Sequence, residues 1–152
     1  MPVDPKLVSA STVIDAAPSV VFAILADPRQ HPRIDGSGSV QNIVSAPDRL
    51  TTGSRFSVAM RLFGLPYQVT NKVVDYEDDR RIAWRHFGAH RWRYELEPVD
   101  GGTRVTETFD YSRYHPVAAR VLEVLRFPER NRQGIVDTLA RLKAAAESDA
   151  QR

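Results

Sequence analysis

Cysteine is absent from the 152-residue sequence. Its absence excludes disulfides, thiolate metal sites and cysteine nucleophiles, and it fits a reducing compartment. No stretch approaches the roughly 18 consecutive apolar residues of a membrane-spanning helix. The residues from Met1 to Lys6 also lack the apolar segment of a secretory signal. We therefore expect a soluble, cytoplasmic protein.

Lysine is scarce as well, because 18 of the 21 basic residues are arginine. The net charge is only +2, so the composition by itself gives little reason to expect a polyanionic partner. Apolar residues make up 42% of the chain, enough for one globular domain that buries about 70% of its unfolded surface. No repeat or long polar linker divides the sequence. We expect a single domain over residues 1–152, with a core at about 7–147 and flexible ends.

The spacing of the apolar residues changes twice along the chain. Residues 7–14 are rich in β-branched side chains and serine, which predicts a first strand; a helix should begin at Pro18 and a shorter one should cover 29–34. From 36 to 111 the apolar residues recur with period 2 between turn residues, which predicts six antiparallel strands. We place these strands at 40–44, 55–62, 67–76, 81–87, 90–97 and 103–111.

Helical spacing returns after Pro116. Val117, Val121 and Leu125 mark a short helix, and Pro128 can begin a long final helix. The apolar stripe of that last helix includes Ile135, Leu139, Leu142 and Ala146. The predicted order is β-α-α-β6-α. Strands in one block with helices at the ends predict an α+β fold.

Four short motifs occur in order along this pattern. They are Ala17-Pro18-Ser-Val-Val-Phe22, Asp27-Pro28, Trp84-Arg85-His86 and Leu96-Glu-Pro-Val-Asp-Gly-Gly-Thr-Arg-Val105. Together with the element order they resemble the START-like (SRPBCC) superfamily, the helix-grip proteins that include polyketide cyclase/dehydrase-like and lipid-transfer proteins. The resemblance covers residues 7–147. It implies a curved antiparallel sheet of about seven strands wrapped around the C-terminal helix, with a cavity between them and no metal or organic cofactor.

The resemblance also implies which residues face the cavity. The candidates on the strands are Phe56, Val58, Met60, Val69, Val73, Trp84, Trp92, Tyr94, Val105 and Phe109. Gly134 lies in the final helix, where glycine costs about 1 kcal/mol relative to alanine. A missing side chain there would widen the cavity if it faced the sheet; close helix–sheet packing is an equal alternative.

Three polar residues share the register of these apolar residues. Asn71, His86 and Glu107 should therefore point inward, and His90 joins them with a weaker pattern. Glu107 and His86 are candidates for an acid/base pair, with Asn71 donating to a ligand carbonyl. In the alternative, Glu107 pairs with an arginine, His86 bonds to the backbone and Asn71 adjoins a buried water.

Two other clusters point less clearly to a function. His86 and His90 are four residues apart, but Gly88 between them predicts a hairpin, so we expect no metal site. A basic cluster contains Arg80, Arg81, Arg85, Arg91 and Arg93. The last three alternate with the inward residues and should lie on the solvated face of the sheet. Basic strands can follow phosphates, yet we do not expect a nucleic-acid partner.

These observations lead to three hypotheses from different classes. The first is a protein that binds or carries a hydrophobic, lipid-like or polyketide-like small molecule. The second is a cofactor-independent aromatase/cyclase, as the resemblance implies. The third is a regulatory interaction module that uses the arginine-rich face of the sheet.

Overall fold

A seven-stranded antiparallel sheet, with strand order β1-β7-β6-β5-β4-β3-β2, is the framework of the molecule. The computed structural model describes residues 6–37, 40–85 and 89–151, with the exception of the Leu62 side chain. The strands are β1 Leu7–Ile14, β2 Val40–Ser45, β3 Arg55–Leu62, β4 Leu65–Glu77, β5 Arg81–Arg85, β6 Arg91–Val99 and β7 Gly102–Asp110. The helices are α1 Pro18–Leu25, α2 His31–Ile34, α3 Pro116–Val124 and α4 Phe127–Ala150, and a 3-10 turn at Pro28–Gln30 precedes α2. This arrangement confirms the predicted α+β helix-grip fold.

The final helix, α4, packs on one end of the curved sheet. Its predicted apolar stripe is buried, and it contacts the sheet mainly through β1 and β7. The first helix, α1, begins at Pro18 as predicted and buries Val21, Phe22 and Leu25. Within the described part of the chain, none of the helices has the length and apolar character needed to span a bilayer.

Strand β4 departs from the prediction in two places. It begins at Leu65, two residues early, because Phe63 and Gly64 both have positive φ (51° and 77°) and form the two-residue turn of a hairpin. A bulge between Val73 and Asp75 then interrupts its alternation. Beyond the bulge, Tyr76 pairs with Ile82. Its ring meets Phe22 of α1 edge-on at 5.6 Å, so it again lies on the helix-covered face.

The turn after α2 is fastened to the side of α4. Gly36 donates its backbone N–H to Thr138 Oγ1 at 2.8 Å, and Arg141 donates to the carbonyl oxygen of Asp35 at 3.1 Å. Arg33 of α2 also reaches Asp149 near the end of α4, at 3.0 Å. These contacts hold α2 and its side chains in place over the sheet.

We expect Gly36→Ala to lower the free energy of unfolding by about 1–3 kcal/mol, the usual cost of overpacking. A Cβ at position 36 would lie 2.4 Å from the backbone nitrogen of Thr138, on the rigid helix. Gly134→Ala is the matched control. Its Cβ would meet only Ser37 Cβ, at 3.8 Å, so we expect a gain of about 1 kcal/mol from helix propensity. Urea denaturation of both variants measures the difference. Equal stabilities would contradict this account of the contact between Gly36 and Thr138, which we call the seam.

Candidate functional site

The concave face of the sheet carries the residues that were predicted to point inward. In antiparallel strands, directly opposed residues point to the same face. The opposed pairs are Phe56 with Asn71, Val58 with Val69, Met60 with Tyr67, Val73 with Trp84, Trp84 with Trp92, Trp92 with Phe109, Tyr94 with Glu107, and Leu96 with Val105. The pairing brings these predicted residues onto one surface. His86 lies outside the described residues.

Three side chains on this surface are only half-buried, namely Met60, Trp84 and Trp92. Trp84 and Trp92 lie on the middle strands β5 and β6, and Met60 lies on β3, next to the far edge of the sheet, whereas α4 covers mainly β1 and β7. Their partners on the same face, such as Val73 and Phe109, are buried. We give the name concave cleft to this partly exposed part of the concave face, defined by Met60, Trp84 and Trp92.

Aromatic rings line the cleft, and one of them, His31, covers Trp84 from the side of α2. His31 of α2 stacks on Trp84 with ring centroids 4.9 Å apart and meets Phe56 edge-on at 5.4 Å. Trp84 in turn contacts Tyr94 at 5.6 Å. Burial lowers the pKa of His31, so its ring is neutral and Nε2 donates to the Leu25 carbonyl oxygen at 2.9 Å. The sequence analysis missed His31, because a four-residue helix shows no periodicity that would mark an inward side chain.

Glu107 is a carboxyl group enclosed in the apolar interior. Its side chain is 4% exposed, and its carboxylate shares a hydrogen bond with the Tyr94 hydroxyl of the neighbouring strand. Oε1 is buried and has no hydrogen-bond partner among the described residues. Burial raises the pKa of Glu107 to about 8, the Tyr94 bond opposes the rise, and the charge of Asp35 adds to it. The carboxyl group is therefore mostly protonated at neutral pH. Tyr94, and not the arginine considered above, is its partner.

The other inward polar residues have different surroundings. Asn71 is buried on β4 beside Phe56. His90 Nδ1 lies 2.7 Å from the Tyr114 hydroxyl, and the His90 ring contacts Phe109 at 5.2 Å. Tyr111 is also buried against Phe109, so this end of the cleft is closed by packed rings.

Gly134 adjoins the turn after α2. The nearest described side chain to a Cβ built there is Ser37, at 3.8 Å. Neither close helix–sheet packing nor a clash requires glycine at this position. The assignment of Gly134 to the cavity wall stays a prediction.

The convex face of the sheet is a surface of mixed charge. Arg81 pairs with Asp75 at 2.6 Å, and Arg93 pairs with Glu95 at 3.0 Å. Arg91 is half-buried; burial and then the nearby Arg113 and Arg85 lower its pKa. Paired acids among the arginines weaken the case for phosphate binding on this face.

Two grooves lie outside the concave cleft. One of about 450 Å³ is lined by Glu77, Arg80, Arg81, Glu95, Leu96, Glu97, Arg104 and Thr106. The other, of about 440 Å³, is lined by Leu7, Val8, Tyr111, Arg120, Glu123, Pro128, Glu129 and Arg132. Acids and arginines line both, so neither resembles the apolar site expected for a hydrophobic ligand. Within the described ranges, no three histidine or carboxylate side chains are grouped to hold a metal ion.

Two curated relatives are similar to this chain in sequence and are longer than it. The protein Rv0088 of Mycobacterium tuberculosis is 42% identical over 144 residues, which is 91% of this chain and 63% of the relative. A second relative, MT0096 of another strain of the same species, matches over the same shares. The chain thus spans less than two thirds of these proteins.

Solved structures share the fold. Protein NE0264 from Nitrosomonas europaea superposes with a TM-score of 0.74 at 17% identity, covering 99% of this chain and 100% of that one. An AHSA1-like protein from Aeromonas hydrophila gives a TM-score of 0.64 at 22% identity, covering 92% and 93% of the two chains. The family model described as polyketide cyclase/dehydrase and lipid transport matches residues 6–147. The chain therefore belongs to this family within the START-like (SRPBCC) superfamily.

Proposed function

We propose that the protein binds or carries a hydrophobic small molecule in the concave cleft, in the cytoplasm. The observation that carries this proposal is the partial exposure of Met60, Trp84 and Trp92 on a face where most of the other side chains form the core. Tyr67, opposite Met60, is 37% exposed on the same face. Apolar side chains that line a concavity and stay open to solvent are typical of small-molecule sites. The family description, which includes lipid transport, supports the same class of ligand.

The polar groups near the cleft restrict the ligand further. Asn71 and the protonated Glu107 are both able to donate a hydrogen bond, and they lie on the same face as the aromatic rings of the cleft. A ligand with an apolar body and at least one carbonyl or hydroxyl oxygen would satisfy them. Lipid-like and polyketide-like molecules both meet this description.

A cyclase-type enzyme is the second candidate, and Glu107 favours it. A buried carboxyl group with a pKa of about 8 exchanges its proton near neutral pH, as a general acid or base must. The Tyr94 hydroxyl beside it would polarise a ketone oxygen, while ionised Glu107 would remove a proton from the adjacent carbon. The resulting enolate carbon would bond to a second carbonyl carbon of the same chain, and Glu107 would return its proton to the new alkoxide. Ionised again, Glu107 would remove a second proton from that carbon and deliver it to the leaving hydroxyl, which departs as water.

Intrinsic fluorescence offers a direct test of the cleft, because both tryptophans of the chain, Trp84 and Trp92, border it. We expect an apolar ligand to change the emission of the wild-type protein. Trp84→Phe and Trp92→Phe should each retain part of that change. The ligand itself is found by gentle purification, with the native mass compared with the denatured mass and the released molecule identified. No adduct, together with emission that does not respond to lipids or aromatic ketones, would contradict the proposal.

We expect Met60→Glu to weaken ligand binding at least about tenfold, which corresponds to 1.4 kcal/mol. The reason is that a carboxylate in the cleft would have to lose its hydration when an apolar ligand enters. Ala59→Glu is the matched control, since Ala59 precedes Met60 on β3 and points to the opposite face. Titration with a fluorescent apolar probe measures both variants. Equal affinities would exclude the cleft as the binding site.

Glu107→Gln separates the carrier from the enzyme. The amide keeps the shape and hydrogen-bonding capacity of the protonated acid, so we expect ligand affinity at pH 7 within about threefold of wild type. If the protein is a cyclase, turnover of a poly-ketone ligand should fall by about 10²–10⁴, the usual contribution of a general base. Titration with the ligand measures the affinity, and mass spectrometry of the incubated ligand measures turnover. Unchanged turnover would remove Glu107 from the mechanism.

The same variant tests the buried acid by its effect on stability. The pKa of Glu107 rises from 4.5 to about 8 on folding. Its stabilising contribution is therefore fully present below a pH of about 4.5 and is lost as the pH rises to about 8, because unfolding releases the proton. We expect the unfolding free energy of wild type, relative to Glu107→Gln, to fall by up to about 1.4 kcal/mol per pH unit in this window. Urea curves at several pH values measure this difference, and a constant difference would contradict the raised pKa.

A further inference from the structure

Large apolar side chains are exposed at one end of the molecule, outside the concave cleft. Phe63 and Leu65, at the turn between β3 and β4, are 77% and 70% exposed. Val124 and Leu125, where α3 ends, are 67% and 57% exposed. We call Phe63, Leu65, Val117, Val121, Val124 and Leu125 the apolar rim.

Helix α3 presents its apolar stripe to solvent. Val117, Val121 and Val124 are spaced by four and three residues and so share one side of the helix, and each is more than half exposed. The side of α3 that packs on the protein carries the buried Ala119 and the half-buried Leu122. A surface helix normally turns its apolar stripe toward the core. α3 thus has apolar residues on its inner side and a second apolar stripe on its outer side, and that outer stripe indicates an external partner.

An arginine joins the two parts of the rim. The Arg130 guanidinium lies 4.8 Å from the centre of the Phe63 ring and 5.9 Å from that of Phe127, in the first turn of α4. Only Leu125 and Arg126 separate α3 from α4. The hairpin turn, the end of α3 and the start of α4 therefore form one continuous surface.

The charge around the rim is predominantly positive. Arg61, Arg126 and Arg130 are exposed, and none of them forms an ion pair within the part of the chain that the structure describes. Of the two nearby acids, Glu123 is paired with Arg120 at 3.2 Å, and Glu129 in the first turn of α4 is exposed. The three arginines still outnumber this one exposed carboxylate. Exposed apolar side chains among unpaired arginines are the combination that an anionic lipid surface attracts.

We propose that the apolar rim and its arginines dock the protein on an anionic lipid bilayer. The apolar side chains enter the region between headgroups and acyl chains, while Arg61, Arg126 and Arg130 contact lipid phosphates from the flanks. A symmetric contact with a second copy would instead bring these three arginines together with their equivalents, and like charges repel. The docking surface goes beyond the proposed function and does not require the cleft to hold a ligand.

Vesicle flotation tests the docking. We expect the wild-type chain to float with vesicles that contain one third phosphatidylglycerol in phosphatidylcholine, and much less with phosphatidylcholine alone. Binding should weaken as salt is raised, because ions screen the phosphate charge. Binding to neither kind of vesicle at low salt would overturn the proposal.

Matched variants separate the rim from non-specific adsorption. We expect Arg126→Glu with Arg130→Glu to lower the vesicle partition coefficient at least about tenfold, because each basic residue near the surface contributes about fivefold. We expect Val124→Ser with Leu125→Ser to lower it at least about tenfold as well, because two apolar side chains no longer enter the bilayer. Val13→Ser with Val44→Ser is the apolar control, since both valines are about half exposed elsewhere. Arg104→Glu is the charge control.

The remaining outcomes are also decisive. Rim variants that float as well as wild type would overturn the proposal. A second result would also overturn it: the wild-type chain fails to float but forms an equilibrium dimer, and Val124→Ser with Leu125→Ser dissociates that dimer. The rim would then bind a second copy. Tryptophan emission of the same variants reports the cleft independently, so failure of docking and failure of ligand binding are distinguishable.

Discussion

The sheet is wider than one helix, and this difference determines which part of the concave face the C-terminal helix can bury. Seven strands about 4.8 Å apart span roughly 29 Å, whereas a helix covers about 10 Å. Helix α4 therefore covers only one end of the concave face, where it packs on β1 and β7. Among the described residues, α1 and α2 provide further cover, through contacts with β6, β7 and β2. Trp84 and Trp92 on the middle strands, and Met60 on β3, stay half-buried.

The fixing of α2 on α4 controls the electrostatics of the covered part. The seam at Gly36 and Thr138 holds His31 against Trp84 and brings Asp35 close enough to influence Glu107. In water each of these groups would ionise near its ordinary pKa. In the dry interior both His31 and Glu107 are held in their neutral forms, which removes the cost of burying charge. An apolar ligand above them would exclude more water and reinforce this state.

Much of the fold could be predicted from the sequence, since period-2 and helical spacing report directly which side chains are buried. The stripe Ile135, Leu139 and Leu142 is an example. A turn near Gly64 could be predicted, but its exact position at Phe63 and Gly64 and the bulge after Val73 could not, because both depend on backbone conformations that side-chain type only weakly specifies. The pairing of Glu107 with Tyr94 follows from the register between β6 and β7, which a single sequence shows only approximately.

Helix α3 is the clearest case in which the same pattern has two meanings. Val117 and Val121 predict a helix, and a helix is present, but helical spacing does not say on which side the rest of the protein lies. The outward stripe and the concave cleft are thus two apolar surfaces of different shape. The cleft lies on the concave face and has few polar groups, which is why we propose a small molecule for it. The rim is exposed and has arginines at its flanks, which is why we propose an extended anionic surface as its partner.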